Sequence, residues 1–137
     1  MSSLFGSLGI SGSGMTAERM RMDVIAENLA NADTTRTEDG TPYRRKEVVL
    51  QSAGSSFQNV LDGVQVAGIV DDPTPPRRVY EPGHPDADAQ GYVTLPNVDP
   101  VTEMTDLITA SRGYEANVTA MNDAKQMFSK SLDILRS

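Results

Sequence analysis

The chain has 137 residues, 38% hydrophobic and 5% aromatic with no tryptophan, so one large core is not expected. It contains no cysteine, which excludes disulfide scaffolds, zinc–thiolate sites and thiol catalysis. Nineteen acidic against twelve basic residues leave a net charge of -7, which repels phosphate backbones and argues against nucleic acid as a partner.

No run approaches the roughly 20 apolar residues of a membrane span. Residues 1–14 are rich in Ser and Gly, without a basic n-region or an apolar h-region, so no cleavable secretory signal is expected. All eight prolines lie between Pro42 and Pro100, and all seven methionines lie outside that window. Proline is expelled from helix interiors whereas methionine is a good helix former. The split predicts helical ends around a non-helical middle. The boundaries fall at 1–31 for an N-terminal helical arm, 32–98 for a central β module with loops, and 99–137 for a C-terminal helix. The fold class is α+β, with the two long helices pairing as a coiled coil beside a small β module.

The N-terminal arm carries Leu4, Leu8, Ser11, Met15, Glu18, Met22, Ile25 and Leu29 at alternating spacings of four and three, the seam of a coiled coil. Gly6, Gly9, Gly12 and Gly14 each cost about 1 kcal/mol relative to Ala in a helix. From Met15 to Ala30 a helix is expected outright; before Met15 it depends on a partner. Ile10, Ala17 and Val24 form a second apolar stripe off the first seam, and two such faces imply several neighbours.

The middle reads as short strands and turns. Candidates are Arg45 to Leu50, Val64 to Val70, Arg77 to Tyr80 and Gly91 to Leu95, with Asp62-Gly63 as a hairpin turn. Gly54 to Gln58, Asp71 to Pro76 and Glu81 to Gln90 are loops by composition. The basic triplet Arg44-Arg45-Lys46 is read either as a contact for an acidic partner or as a charged edge guarding a strand.

Asp99-Pro100 opens the C-terminal helix as N-cap and first helical residue, with Glu103 and Asp106 complementing the helix dipole. Its stripe runs Met104, Leu107, Ser111, Tyr114, Val118, Met121, Lys125, Phe128, Leu132 and Leu135. Val101, Ile108, Met127 and Ile134 form a second row. Residues 100–135 would make a rod of about 54 Å at 1.5 Å per residue.

The most enzyme-like stretch is Gly83-His84-Pro85-Asp86-Ala87-Asp88, with the only histidine and two carboxylates. Three ligands at most, with no fourth nearby, favour a solvated loop whose Asp side chains bond their own backbone. The Gly-x-Ser-x-Gly elbow and the Gly-rich phosphate patterns are absent. No catalytic, metal or cofactor site is expected, and no small-molecule substrate.

Asn28-Leu29-Ala30-Asn31-Ala32-Asp33-Thr34, which closes the first helix, resembles the signature of the flagellar rod and hook protein family. Gly68 to Arg77 (GIVDDPTPPR), Val79 to Asp88 (VYEPGHPDAD), Gly91-Tyr92-Val93 and Pro96-Asn97-Val98-Asp99 narrow the resemblance to its proximal-rod members. Ser111-Arg112-Gly113-Tyr114-Glu115-Ala116-Asn117-Val118 is similar to the closing motif of that family, with Gly113 where Ala is expected. The resemblance covers nearly the whole chain.

It implies a structural subunit of the bacterial flagellar basal body, exported unfolded through the flagellar type III apparatus and polymerised in the periplasm. The terminal helices would line an inner tube, the β module would face outward, and the rod would transmit torque from rotor to hook. Implied neighbours are copies of itself, other rod proteins and the export-gate adaptor protein. Assembly would rest on the seam residues Leu8, Met15, Met22, Ile25, Leu29, Met104, Leu107, Tyr114, Val118, Met121, Phe128, Leu132 and Leu135. Asn28, Leu29, Ala30, Asn31 and Thr34 would form the elbow between helix and β module, where short polar side chains bond freed backbone groups. The alternative from another class is a secreted effector or adhesin using the same export route. The 67 central residues, with few aromatics, leave that reading little room for a recognition domain.

Overall fold

The computed structural model describes residues 2–54 and 63–136. Two long helices, α1 (Ser2–Ala30) and α2 (Pro100–Arg136), enclose four short strands in sequence: β1 (Lys46–Ser52), β2 (Val64–Asp71), β3 (Arg77–Tyr80) and β4 (Tyr92–Leu95). The architecture is α+β, with the helices packed against each other. The β module is two separate antiparallel hairpins, β1–β2 and β3–β4, and not one sheet.

α1 is continuous through its glycine-rich first half. Its partner there is the chain's own α2, since a Cβ on Gly12 would lie 3.7 Å from the Met121 methyl and Gly14 faces the Asn117 amide. The helix ends where Asn31 turns back on it. The Asn31 amide N–H donates to the Glu27 and Asn28 carbonyls, and its side-chain Nδ2 donates to the Glu27 carbonyl at 2.9 Å. Carbonyls that helix termination orphans are thereby satisfied.

At the start of α2, Asp99 caps as its residue type predicts. Its Oδ1 accepts the Val101 N–H at 3.0 Å and its Oδ2 accepts the Thr102 hydroxyl at 3.2 Å. The 37-residue helix that follows is about 55 Å long at 1.5 Å per residue.

β1 and β2 pair from Lys46–Asp71 to Ser52–Val64, with a bulge between Val49 and Leu50. Their hairpin lies along α1. The loop expected at Gly54 to Gln58 and the turn at Asp62-Gly63 fall outside the described residues, apart from Gly54 and Gly63 themselves. Gly63 has a φ of 87°, and a Cβ there would collide with the Ser13 hydroxyl, so the hairpin base meets α1 at a point only glycine fits. β3 and β4 pair from Arg77–Leu95 to Tyr80–Tyr92, closed by an edge-on Tyr80–Tyr92 contact with centroids 5.2 Å apart.

The second stripe of α1 is covered only in part within the subunit, with Ile10 left 37% exposed. Ala17 and Val24 are buried, beside Val66 and Val48 respectively. On α2 the second row stays in solvent, with Val101 72% and Ile108 56% exposed. A small apolar cluster of Ala32, Tyr43 and Val98 sits where α1, the strand region and α2 converge.

Candidate functional site

The helices pair antiparallel, with Gly14 beside Asn117, Glu18 beside Gly113 and Asn28 beside Glu103. A Cβ on Gly113 would come 3.1 Å from the Glu18 carboxyl carbon, so an Ala at this position would make the Glu18 side chain shift by a few tenths of an ångström. Along α2 the side facing α1 buries Glu103, Ala110 and Ala124 and half-buries Leu107, Tyr114, Met121 and Phe128. That face shares Leu107, Tyr114, Met121 and Phe128 with the stripe read from sequence. At the intervening positions it is turned by one residue, so Met104 is 53% exposed and Lys125, Leu132 and Leu135 also face solvent. Val118 is half-buried.

On α1, Ile25 is buried, while Leu8, Met15, Met22 and Leu29 are half-buried. Small side chains on α2 and the polar pair Asn28–Glu103 draw the contact to this phase. Hydropathy counts Met104 as apolar and Glu103 as polar, and the fold inverts their exposure.

Of the five residues expected to form an elbow, Asn28, Asn31 and Thr34 make side-chain hydrogen bonds at the end of α1. Asn28 is 1% exposed and makes four hydrogen bonds. Its Nδ2 donates to the Lys46 carbonyl at 2.9 Å and to Glu103 Oε2 at 3.1 Å. Its Oδ1 accepts the Tyr43 hydroxyl and the Lys46 N–H, both at 2.9 Å. One amide thus ties α1, the segment before β1, β1 itself and α2. Thr34 donates to Asn31 Oδ1 at 3.1 Å, and the Thr34 carbonyl accepts the Tyr43 N–H at 3.2 Å. Leu29 is half-buried and Ala30 exposed.

Glu103 is 0% exposed, and its charge is matched by Arg45, whose Nε lies 2.5 Å from Glu103 Oε1. The same guanidinium reaches Glu47, Asp72 at 3.2 Å and Asp106 at 3.7 Å. Burial works against the Arg45 cation, but hydrogen bonds to Glu103 and Glu47 outweigh it and hold the group more firmly charged than usual. Burial pushes the Tyr43 phenol up to about 12, with the carboxylates of Glu27, Asp71 and Glu103 adding to it. Arg45 of the basic triplet is therefore spent inside the subunit, and Lys46 pairs with Glu27 at 2.6 Å. Of the three, Arg44 alone is exposed.

Sequence patterning does not place Arg45, Glu103 or Tyr43 in this joint, and it gives Glu103 only the role of a dipole partner. The seven-residue spacing from Glu103 to Ala110, Asn117 and Ala124 is the available signal.

The His84 loop closes on itself and on Thr35 and Arg36. His84 Nδ1 accepts the Asp86 N–H at 3.0 Å, and Asp86 accepts the Thr35 hydroxyl at 2.7 Å and pairs with Arg36 at 3.4 Å. Asp88 accepts the Gln90 and Tyr92 N–H groups and pairs with Arg78 at 2.6 Å, which holds its carboxyl below the usual range, the Tyr92 bond foremost. Among the described residues no group of three or more His, Cys, Asp or Glu side chains is arranged to hold a metal ion. None of the described helices is long and apolar enough to cross a membrane.

Long paired helices, a buried polar joint and apolar side chains left exposed along α2 fit a subunit that packs against neighbours. Comparison with known proteins makes this specific. Residues 8–36 match the family of flagella basal body rod proteins, and residues 89–134 match the C-terminal family of flagellar basal body rod FlgEFG proteins. The chain is 50% identical to the flagellar basal-body rod protein FlgC of Bacillus subtilis (strain 168), over 95% of this chain and 97% of that protein. It is 48% identical to the FlgC of Yersinia enterocolitica over 96% of this chain and 98% of that one. To the FlgC of Borreliella burgdorferi it is 44% identical over 97% of this chain and 98% of that one. The chain belongs to the FlgC group of flagellar basal-body rod proteins, a structural family and not an enzymatic one. Its place is the basal-body rod, in assembly with other rod subunits.

Proposed function

We propose that this subunit forms part of the proximal rod, a helical drive shaft that carries torque from the rotor toward the hook. The observation that supports this most directly is the outward row on α2, where Val101, Met104, Ile108, Met127, Ile134 and Leu135 remain exposed after the helices have paired. Exposed apolar clusters of this kind, Val101, Met104 and Ile108 toward the start of α2 and Met127, Ile134 and Leu135 toward its end, mark contacts with neighbours. Stiffness under torsion follows when every subunit buries such rows against several others, because packed interiors have low compressibility. The half-buried residues Leu8, Met15, Met22, Leu29, Leu107, Tyr114, Val118, Met121 and Phe128 serve the same assembly from the paired faces. Copies of this chain, other rod proteins and the export-gate adaptor protein are its neighbours in this reading. The subunit travels unfolded through the flagellar type III apparatus and assembles in the periplasm.

The test uses Met127→Asp, which places a charge on a row already in solvent within the subunit, so folding is spared. Cells should secrete the variant yet fail to swim, with basal bodies halted before the distal rod. Asp39→Ala, in an exposed turn, should leave motility near normal. Swimming Met127→Asp cells with complete rods would overturn the proposal.

A further inference from the structure

The subunit displays two apolar features that do not face each other. One is an open groove of about 360 Å³ between α1 and β2, passing Ser13, Thr16, Ala17, Met20, Val64 and Val66. The Ser13 hydroxyl fixes its near end by accepting the Val64 N–H at 3.1 Å. The other is the row Val101, Met104 and Ile108 on the side of α2 turned away from α1. Within one subunit the row and the groove cannot meet.

We propose that the row of one copy seats in the groove of the next copy of this chain, with Arg112 of the first facing Asp23 of the second. This rests on the rod-subunit reading above and names the contact it uses.

Three observations carry it. Ser13 to Met20 and Val101 to Ile108 are both two-turn stretches of helix, about 10 Å long at 1.5 Å per residue. With Ile108 set beside Met20 and the helices parallel, Arg112 comes within one residue, about 1.5 Å of rise, of Asp23. Both are exposed, of opposite charge, and in no ion pair among the described residues. Finally, row and groove are different surfaces, which gives a head-to-tail contact that propagates as a helix instead of closing as a two-fold dimer.

The absence of cysteine makes the test clean. Basal bodies are purified from cells whose only copy carries both Met20→Cys and Ile108→Cys, and are mildly oxidised. A disulfide ladder of this subunit beyond the dimer is expected, with no ladder from either single variant. In parallel, Asp23→Arg should reduce swarming at least about tenfold, and adding Arg112→Asp should restore it to within about twofold.

A subunit present in the rods, with the thiol introduced by Ile108→Cys shielded from maleimide but no ladder formed, would mean another rod protein covers the row, which overturns the inference. So would charge reversals that leave swarming unchanged. Absence of the subunit from purified basal bodies would overturn the rod reading itself, and this contact with it.

Discussion

Asn28 and Arg45 do opposite kinds of work at the same joint. Asn28 satisfies four neutral or charged groups without carrying charge, whereas Arg45 neutralises a carboxylate that has no exposure at all. Arg45→Met should therefore cost about 3–5 kcal/mol, because Glu103 is left as an unpaired buried charge. Adding Glu103→Gln should recover much of that loss, and urea unfolding of the four purified variants measures the coupling. Full additivity would mean the pair is not a unit.

Tyr43 gives the joint a pH signature. Its native phenol titrates near 12 against an ordinary 10.0, so the folded state holds the proton longer than the unfolded state. The resulting stabilisation is complete below pH 10 and disappears by pH 12, on the order of 2 kcal/mol. Comparing unfolding of Tyr43→Phe with the natural chain across that window should show a steeper decline in the latter. At the acid end, hydrogen bonds from Thr74 hold the Asp72 carboxyl below its ordinary range. Its contribution, with that of Asp88, is present above the ordinary carboxylate range and fades as pH falls through their native titrations.

At the scale of elements, glycine has two distinct meanings in α1. Gly14 sits against α2, where a Cβ would come 2.8 Å from the Asn117 amide, while nothing lies within 4 Å of a Cβ at Gly6 or Gly9. Gly9→Ala should raise helix stability by about 0.5–1 kcal/mol through backbone entropy alone. Gly14→Ala should show less of that gain or reverse it, since Asn117 must move. Thermal unfolding followed by circular dichroism distinguishes the two, and equal gains would mean Asn117 yields at no cost. A functional cost of Gly9→Ala, with stability raised, would place a neighbouring subunit against that bare stretch of helix.

For the molecule as a whole, the antiparallel register puts the first turn of α1 level with about residue 129 of α2. Residues 129–135 extend past that point, all exposed. In the isolated subunit their amides should exchange at least about 100-fold faster than those of residues 107–121, the stretch of α2 packed against α1. Inside an assembled rod the same amides should slow toward the helix-interior rate. Equal protection in both states would show that the terminal turns draw nothing from neighbours.

The amino-acid sequence by itself determined the order and type of the elements. Proline confined to 42–100, methionine outside it, the Asp99-Pro100 start and the strand-like runs at residues 45–50 and 64–70 all act through local backbone preferences. In these segments the tertiary context agrees with the local preference and does not override it. The end of the first helix near Asn28 to Thr34 was legible for the same reason. Which side of each helix faces inward was decided only by the tertiary structure. Periodicity fixes a stripe to within about one residue, or 100° of rotation. The choice between Met104 and Glu103 then turned on partners 58 and 75 residues away, Arg45 and Asn28. Hydropathy alone ranks a buried glutamate last. A guanidinium and an amide supplied from elsewhere in the chain reverse that ranking, and no local pattern announces them.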